Sequence, residues 1–191
     1  MVPVRLTGPR LAIREYHHTD GDVDALHALF GDPEVTRHLP FAPHDRETCA
    51  DQIELYLEEA MAEERDTYRL AVTRLADAPD PQDATPIGQA SLTLDGHRSA
   101  DLGCVLGRES WGRGYAGEIT GLLCDFAFRT LELPRVEARV AVDNTASATV
   151  LAGLGFRLEG REPQDGSEGG AGSAGYRYAL RLDQWPGPAG G

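Results

Sequence analysis

Residues 108–118 read Arg108-Glu109-Ser110-Trp111-Gly112-Arg113-Gly114-Tyr115-Ala116-Gly117-Glu118, and this glycine segment holds three glycines and two arginines. A strand is predicted before it, at residues 100–106, and an apolar helix after it, at about residues 116–130. The first amides of a helix have no acceptor within the helix, and the helix dipole adds partial positive charge there. Glycines let an anion approach the backbone closely. The segment therefore predicts a phosphate-binding site.

The glycine segment also fits a second pattern, because residues 112–117 satisfy G-x-G-x-x-G. In a dinucleotide-binding fold, Asp143 would be the acid expected after the next strand. Three observations oppose this alternative. The motif does not lie in a leading βαβ unit, the preceding strand follows a hairpin turn at Asp95-Gly96, and the chain has no second mononucleotide half. A dinucleotide-dependent oxidoreductase is the weaker hypothesis, as is a plain turn whose glycines serve packing alone.

Composition narrows the function classes. The chain has 191 residues and a formal net charge of −13, with 31 acidic and 18 basic residues. That balance argues against nucleic acid as the main partner and is compatible with a cationic substrate. Three cysteines at unrelated spacings suggest no disulfide framework. We find no signal peptide and no apolar run of the roughly 20 residues that span a bilayer, so we expect a cytoplasmic protein with no membrane partner.

Hydrophobic periodicity predicts the following elements. Strands are expected at residues 11–16, 70–75, 87–94, 100–106, 136–142, 156–160 and 176–182, and helices at about 20–30, 45–66, 116–130 and 144–154. Residues 164–175 are expected to form a flexible loop and 186–191 a flexible tail. This order predicts a mixed α/β (α+β) fold in a single domain over residues 1–185.

A second signature lies downstream, at Asp143-Asn144-Thr145-Ala146-Ser147 and Gly153-Leu154-Gly155-Phe156. Together with the glycine segment, it resembles the GNAT acetyltransferase superfamily. The opening at residues 6–11 and the ending at residues 176–185 are similar to the ribosomal-protein N-terminal acetyltransferase (RimJ/RimL-like) branch. The resemblance covers nearly the whole chain. It implies a mostly antiparallel, twisted sheet of about seven strands flanked by about four helices, and dimers in relatives make a homodimer an expectation.

The resemblance implies acetyl-coenzyme A as donor and a primary amine as acceptor, and the histidine spacing predicts no metal. The diphosphate is expected on the amides of residues 113–116 and the pantetheine arm along residues 100–106. Asn144 is expected to contact that arm and is also a good N-cap for the helix that follows, and both roles can hold together. The superfamily pattern Q/R-x-x-G-x-G/A has Gln or Arg where Trp111 stands, so Arg108 or Arg113 is expected to supply the missing charge. The donor-binding residues predicted in this way are Leu106, Arg108, Trp111, Gly112, Arg113, Gly114, Tyr115, Ala116, Gly117, Asn144 and Ser147.

Direct transfer needs a base for the amine, a donor for the oxyanion and an acid for the departing thiolate. Asp101 is the first candidate base and Glu109 the second, while an amide at Leu106 or Gly107 is expected to hold the oxyanion. Ser147 matches the hydroxyl that faces the thiol in the RimJ/RimL-like branch, with Tyr178 as the alternative. Each has a structural alternative: a solvated strand residue for Asp101, a helix cap for Ser147 and strand packing for Tyr178.

Two other chemistries are disfavoured by the sequence. Cys104 is expected to be a small buried hydrophobe instead of an acyl-carrying nucleophile, and the six histidines lack metal-ligand spacing. The acceptor stays open among a protein N-terminus, a polyamine, an aminoglycoside-like antibiotic and an amino-acid derivative. A protein that binds acyl-coenzyme A without catalysis is the alternative from another class.

Overall fold

The computed structural model describes residues 3–162 and 175–187, so most of the loop predicted at 164–175 and of the tail predicted at 186–191 lies outside the described residues. Gly175, the last residue of the predicted loop, starts a strand. Eight strands form one sheet. They are β1 (Arg5–Thr7), β2 (Leu11–Glu15), β3 (Thr67–Arg74), β4 (Gly88–Leu94), β5 (Ser99–Leu106), β6 (Arg135–Ala141), β7 (Arg157–Glu162) and β8 (Gly175–Arg181). The helices are α1 (Asp20–Phe30), α2 (Pro33–Thr36), α3 (Arg46–Met61), α4 (Tyr115–Asp125) and α5 (Thr145–Gly153).

The sheet has the strand order β1-β2-β3-β4-β5-β6-β8-β7. Neighbouring strands are antiparallel throughout the described chain except for β5 and β6, which are parallel. A parallel connection needs a crossover, and α4 supplies it. Because β5 and β6 run in the same direction, the segments that follow them emerge at the same edge of the sheet.

Helices cover both faces of the sheet. On one face, α1 and α3 enclose a cluster that includes Tyr16, Leu26 and Ile53, each almost fully buried. On the other face, Ile119 and Leu123 of α4 pack against the larger cluster, together with Leu151 of α5. The apolar spacing of α4 places these side chains on one stripe, as amphipathic helices require.

A buried ion pair ties β2 to the start of α1. The guanidinium of Arg14 donates to both carboxylate oxygens of Asp22, at 2.7 and 2.9 Å, and to the carbonyl of Ala84. Asp22 also accepts from the backbone amide of His17. Because both charged side chains are almost completely buried, their mutual contacts replace the water that they lose on folding.

The helix starts differ in one respect that bears on the site. Side chains of Thr19, Asp45 and Asn144 accept hydrogen bonds from the first turns of α1, α3 and α5. In contrast, the N-cap of α4 is Gly114, which has no side chain to cap the first turn. The N-terminal amides of α4 therefore lack the partner that the other long helices have.

The mixed α/β fold is confirmed, with small differences in its elements. The sheet has an additional strand, β1, just before the first predicted strand at residues 11–16. The helix predicted at about 20–30 ends at Gly31-Asp32-Pro33, but Pro33 then starts α2 with Asp32 as its N-cap, which suits proline's fixed φ. The helix predicted at 116–130 changes after Asp125 into a π-helical turn at Phe126–Thr130. Among the described residues, no helix is both long and apolar enough to cross a membrane.

Candidate active site

The sheet opens into a cleft between β5 and β6. The two strands pair only from Ser99–Asp101 to Arg135–Glu137, so the cleft lies between residues 102–106 and residues 138–141. On its other side, β5 stays paired with β4 up to Leu106. A parallel sheet that splits at the carboxyl ends of its strands is a common place for a ligand.

One edge of β5 presents backbone groups to the cleft. At one end of the hairpin, Asp95 donates to Ser99, and at the other Gly107 donates to the carbonyl of Ile87. Since alternate residues of a strand point to opposite neighbours, the odd-numbered residues of β5 bond to β4, and Cys104 and Leu106 turn their N–H and C=O groups toward the cleft. The Leu106 amide is therefore available there, whereas the Gly107 amide is already used.

The glycine segment carries a row of six backbone N–H groups without acceptors. Within residues 3–162 and 175–187, none of the amides of residues 112–117 donates a hydrogen bond to the protein. Gly112 and Gly114 have φ values of +70° and +74°, which L side chains adopt only with strain. Backbone N–H groups that follow one another around such residues form the kind of arrangement that binds anions.

Behind the glycine segment lies the guanidinium of Arg10. It donates to the carbonyls of Arg113, at 2.8 Å, and Gly114, at 3.4 Å. Its Nε pairs with Glu118 at 2.8 Å, and it lies over the ring of Tyr115. Sequence reasoning missed both Arg10 and Glu118, because neither belongs to a local motif and they are 108 residues apart.

Both arginines and the tryptophan of the glycine segment make hydrogen bonds within the protein. The Arg108 guanidinium pairs with Asp32 at 2.6 Å, and the Arg113 Nε donates to the carbonyl of Glu109. The indole N–H of Trp111 donates to the carbonyl of Leu106. The residue that departs from the superfamily pattern thus ties the end of β5 to the loop that follows it.

Asn144 and Ser147 lie at the same edge of the sheet, where β6 passes into α5. The Asn144 side-chain oxygen accepts from the Ser147 amide at 3.1 Å, so the predicted cap is present. Its NH₂ group and the Ser147 hydroxyl have no hydrogen-bond partner among the described residues. By contrast, the hydroxyl of Thr149 donates back to its own helix. The cap and a contact to a ligand are therefore compatible at Asn144.

The segment from Asp32 to His38, which contains α2 and is called the strap below, contacts both sides of this edge. Asp32 pairs with Arg108 of the glycine segment, and His38 lies 3.3 Å from Asp143 in the turn before α5. The pKa of Asp32 is lowered, first by a hydrogen bond from the Glu34 amide and then by Arg108. The strap consequently keeps a carboxylate on the side of the glycine segment that faces α2.

The two candidate bases have different surroundings. Asp101 lies on the last rung that joins β5 to β6, and its carboxylate pairs with Arg139 at 2.5 Å. Glu109 is exposed. The pKa of Arg74 on β3 is raised mainly by Asp77, and the charge of Glu109 adds to that effect. Asp101 is therefore held in an ion pair beside the cleft, whereas Glu109 is open to solvent.

Tyr178 and Cys104 both lie against the core. Tyr178 pairs with Ala138 across β6 and β8 and packs on the larger hydrophobic cluster. Burial raises the pKa of the Cys104 thiol to about 11, so the nucleophilic thiolate is scarce near neutral pH. In the described part of the chain, no group of three or more His, Cys, Asp or Glu side chains has the geometry to hold a metal ion.

Comparison with known proteins agrees with this geometry. The family profile described as Acetyltransferase (GNAT) domain matches residues 10–157. The N-acetyltransferase p20 of Bacillus licheniformis, itself uncharacterized, is 30% identical over 154 residues, which cover 79% of this chain and 81% of that protein. The uncharacterized N-acetyltransferase YoaA of Bacillus subtilis (strain 168) is 31% identical over 162 residues, or 84% of this chain and 86% of YoaA.

Solved structures show the same fold. RimJ of Mycobacterium smegmatis, in complex with CoA-disulfide, superposes with a TM-score of 0.79 at 22% identity, over 99% of this chain and 94% of that one. The cleft, the uncapped α4 and the matching profile define an acyltransferase of the acetyl-coenzyme A-dependent class. The chain belongs to the GNAT acetyltransferase family, so the resemblance that the two motifs predicted is confirmed.

Proposed function

We propose that this chain transfers the acetyl group of acetyl-coenzyme A directly to a primary amine, without an acyl-enzyme. One observation carries the proposal: the six amides of residues 112–117 have no acceptor in the described protein and lie beside the cleft. Residues 112–114 are exposed and residues 115–117 are half-buried, so an anion can reach these amides from solvent and accept hydrogen bonds from them. A diphosphate has the charge and the oxygen spacing to satisfy several at once.

The cleft suits the rest of the donor. The pantetheine arm contains amides, and the exposed backbone groups of Cys104 and Leu106 would pair with it as they would with an added strand. The free NH₂ group of Asn144 is suited to a carbonyl of the same arm. The chain would thus hold the donor along β5, with its diphosphate end at α4.

Transfer then requires that the amine nitrogen forms a bond to the acetyl carbon while the carbon–sulfur bond breaks. The Leu106 amide is placed to donate to the oxygen that gains charge, and Ser147 to give a proton to the departing sulfur. Since an alkyl amine has a pKa near 10, a base must first remove its proton. Asp101 and Glu109 stay the candidates, and alignment of donor and acceptor supplies part of the rate.

The acceptor is proposed only as a primary amine. Two ion pairs, Asp32 with Arg108 and Asp101 with Arg139, give the segments that border the cleft charged side chains. A protein N-terminus, a polyamine, an aminoglycoside-like antibiotic and an amino-acid derivative are all compatible with such a surface.

The test is a turnover assay on the full chain with acetyl-coenzyme A and a panel of these amines. Release of free thiol is measured with a colorimetric thiol reagent, and the acetylated product is identified by mass spectrometry. Equimolar thiol and acetylated amine would support the proposal. Coenzyme A binding without thiol release on any amine would favour the binding protein, and a melting shift with NAD(P) but none with coenzyme A would favour the oxidoreductase.

A further inference from the structure

Arg10 contacts the glycine segment from the side opposite to its open amides. Its two terminal nitrogens donate to the carbonyls of Arg113 and Gly114. In a trans peptide, the N–H of the next residue points away from the carbonyl that precedes it. The amide hydrogens of Gly114 and Tyr115 therefore point away from Arg10, to the side where no protein acceptor is found among the described residues.

The guanidinium itself is fixed by Glu118. That carboxylate accepts from Arg10 Nε at 2.8 Å and from the backbone amides of Arg10 and Leu11, at 2.8 and 2.9 Å. The Glu118 side chain is only 9% exposed, although Arg10 is 49% exposed. Glu118 therefore joins the turn before β2 to the first turn of α4 and aims the arginine at the loop.

The pairing also balances charge. A carboxylate in the first turn of α4 would by itself repel an anion at the same helix end, and the adjacent guanidinium compensates it. A charged donor on a carbonyl further polarises the peptide group and makes its N–H a stronger donor. Arg10 thus has two effects on the amides of Gly114 and Tyr115, one on their direction and one on their strength.

We propose that Arg10 is a positioning residue for the donor: it holds two peptide groups so that their N–H groups face the diphosphate. This inference rests on the proposed function, since it assumes that the diphosphate binds at residues 112–117. It predicts that Arg10 matters only for donors that carry a diphosphate.

The experiment compares two donors, acetyl-coenzyme A and S-acetyl-pantetheine, which lacks the diphosphate. For Arg10→Ala, we expect kcat/KM with acetyl-coenzyme A to fall about tenfold or more, chiefly through KM, because two charge-assisted hydrogen bonds are lost. The value with S-acetyl-pantetheine should stay within about twofold of the wild-type value. Arg5→Ala is the matched control, since Arg5 is an exposed arginine on the neighbouring strand β1. This variant should leave kcat/KM unchanged with both donors.

The result with Arg10→Lys separates position from charge. Lysine keeps the positive charge but lacks the planar set of donors that reaches two carbonyls and Glu118 together, so it should share most of the loss. Full activity in Arg10→Lys, or an equal loss with both donors in Arg10→Ala, would overturn the inference. If the wild type turns over neither donor, the proposed function fails. In that case, calorimetric affinities of the wild type and Arg10→Ala for coenzyme A and for pantetheine decide the role of Arg10. A loss of affinity confined to coenzyme A would support the inference, and an equal loss for both would overturn it.

Discussion

The indole nitrogen of Trp111 lies 2.7 Å from the backbone carbonyl oxygen of Leu106 and donates a hydrogen bond to it. That carbonyl belongs to the edge of β5 that faces the cleft, and Trp111 is the residue that departs from the family pattern. Trp111 is 49% exposed, and this hydrogen bond ties its indole to the end of β5. Trp111 therefore offers a side-chain N–H donor, as Gln or Arg would at this position. Its acceptor is the Leu106 carbonyl at the end of β5.

Trp111→Phe should weaken donor binding a few-fold, because one hydrogen bond of about 0.5–1.5 kcal/mol is lost while the aromatic ring is kept. Trp111→Gln, which restores both the family pattern and a side-chain N–H, should lie closer to the wild type. Calorimetric titration with coenzyme A measures the affinities of the wild type and of the two variants, which should rank in that way. Equal affinity in the Phe variant would show that the bond to Leu106 has no part in donor binding.

Gly117→Glu tests the anion site without straining the backbone. No atom lies within 4 Å of the position where its Cβ would stand, and its φ is not in the left-handed region. An acid in the first turn of a helix favours the helix itself but repels a diphosphate, so coenzyme A affinity should fall about tenfold, less at high salt. Gly117→Gln has nearly the same size without the charge and should bind normally. A Glu variant with wild-type affinity would remove the helix end from the site.

Ser147→Ala should lower kcat roughly 10- to 100-fold, because the departing sulfur loses its proton donor. The affinity for coenzyme A should change little, since the Ser147 amide still donates to Asn144. Thr149→Ala is the control, because Thr149 is on the same helix and its hydroxyl donates to Thr145. Steady-state kinetics and calorimetry separate the two quantities. Unchanged kcat in Ser147→Ala would exclude it as the acid and turn attention to Tyr178.

Asp22→Asn should reduce the free energy of unfolding by about 3–5 kcal/mol, because the buried charge of Arg14 loses its counter-ion. Urea unfolding at neutral pH measures the loss. Asp20→Asn is the matched control: Asp20 pairs with Arg46 on the surface, and exposed pairs contribute little. Similar stability in the two variants would mean that Arg14 finds other partners.

The sequence predicted what local patterns specify. The glycines at 112, 114 and 117 mark the start of α4, and the apolar spacing after Ile119 marks its buried face. Asn144 was recognised as a cap and a contact at once, and the free NH₂ group in the structure keeps both roles open. These features depend on neighbours within one or two turns, which is the range over which propensity and capping act.

Contacts between distant segments could not be read from the sequence. Nothing near Arg10 indicates that its partners are Glu118 and two carbonyls of the glycine segment. The pairing of Asp101 with Arg139 likewise depends on where β5 and β6 stop pairing, and no local pattern sets that point. The predictions of Asp101 and Glu109 as bases rest on their positions in the chain, and only the fold shows that Arg139 holds the Asp101 carboxylate.

The short pairing between β5 and β6 has a consequence for the stability of the protein as a whole. In the described chain, only three residue pairs join β5 to β6 and thereby the two halves of the sheet. A ligand bound between these strands would take the place of a missing strand and connect the two halves. Occupancy and folding should then be thermodynamically coupled. Slower hydrogen exchange at Cys104 and Leu106 would be the local sign of that coupling, and a sharper unfolding transition the global one.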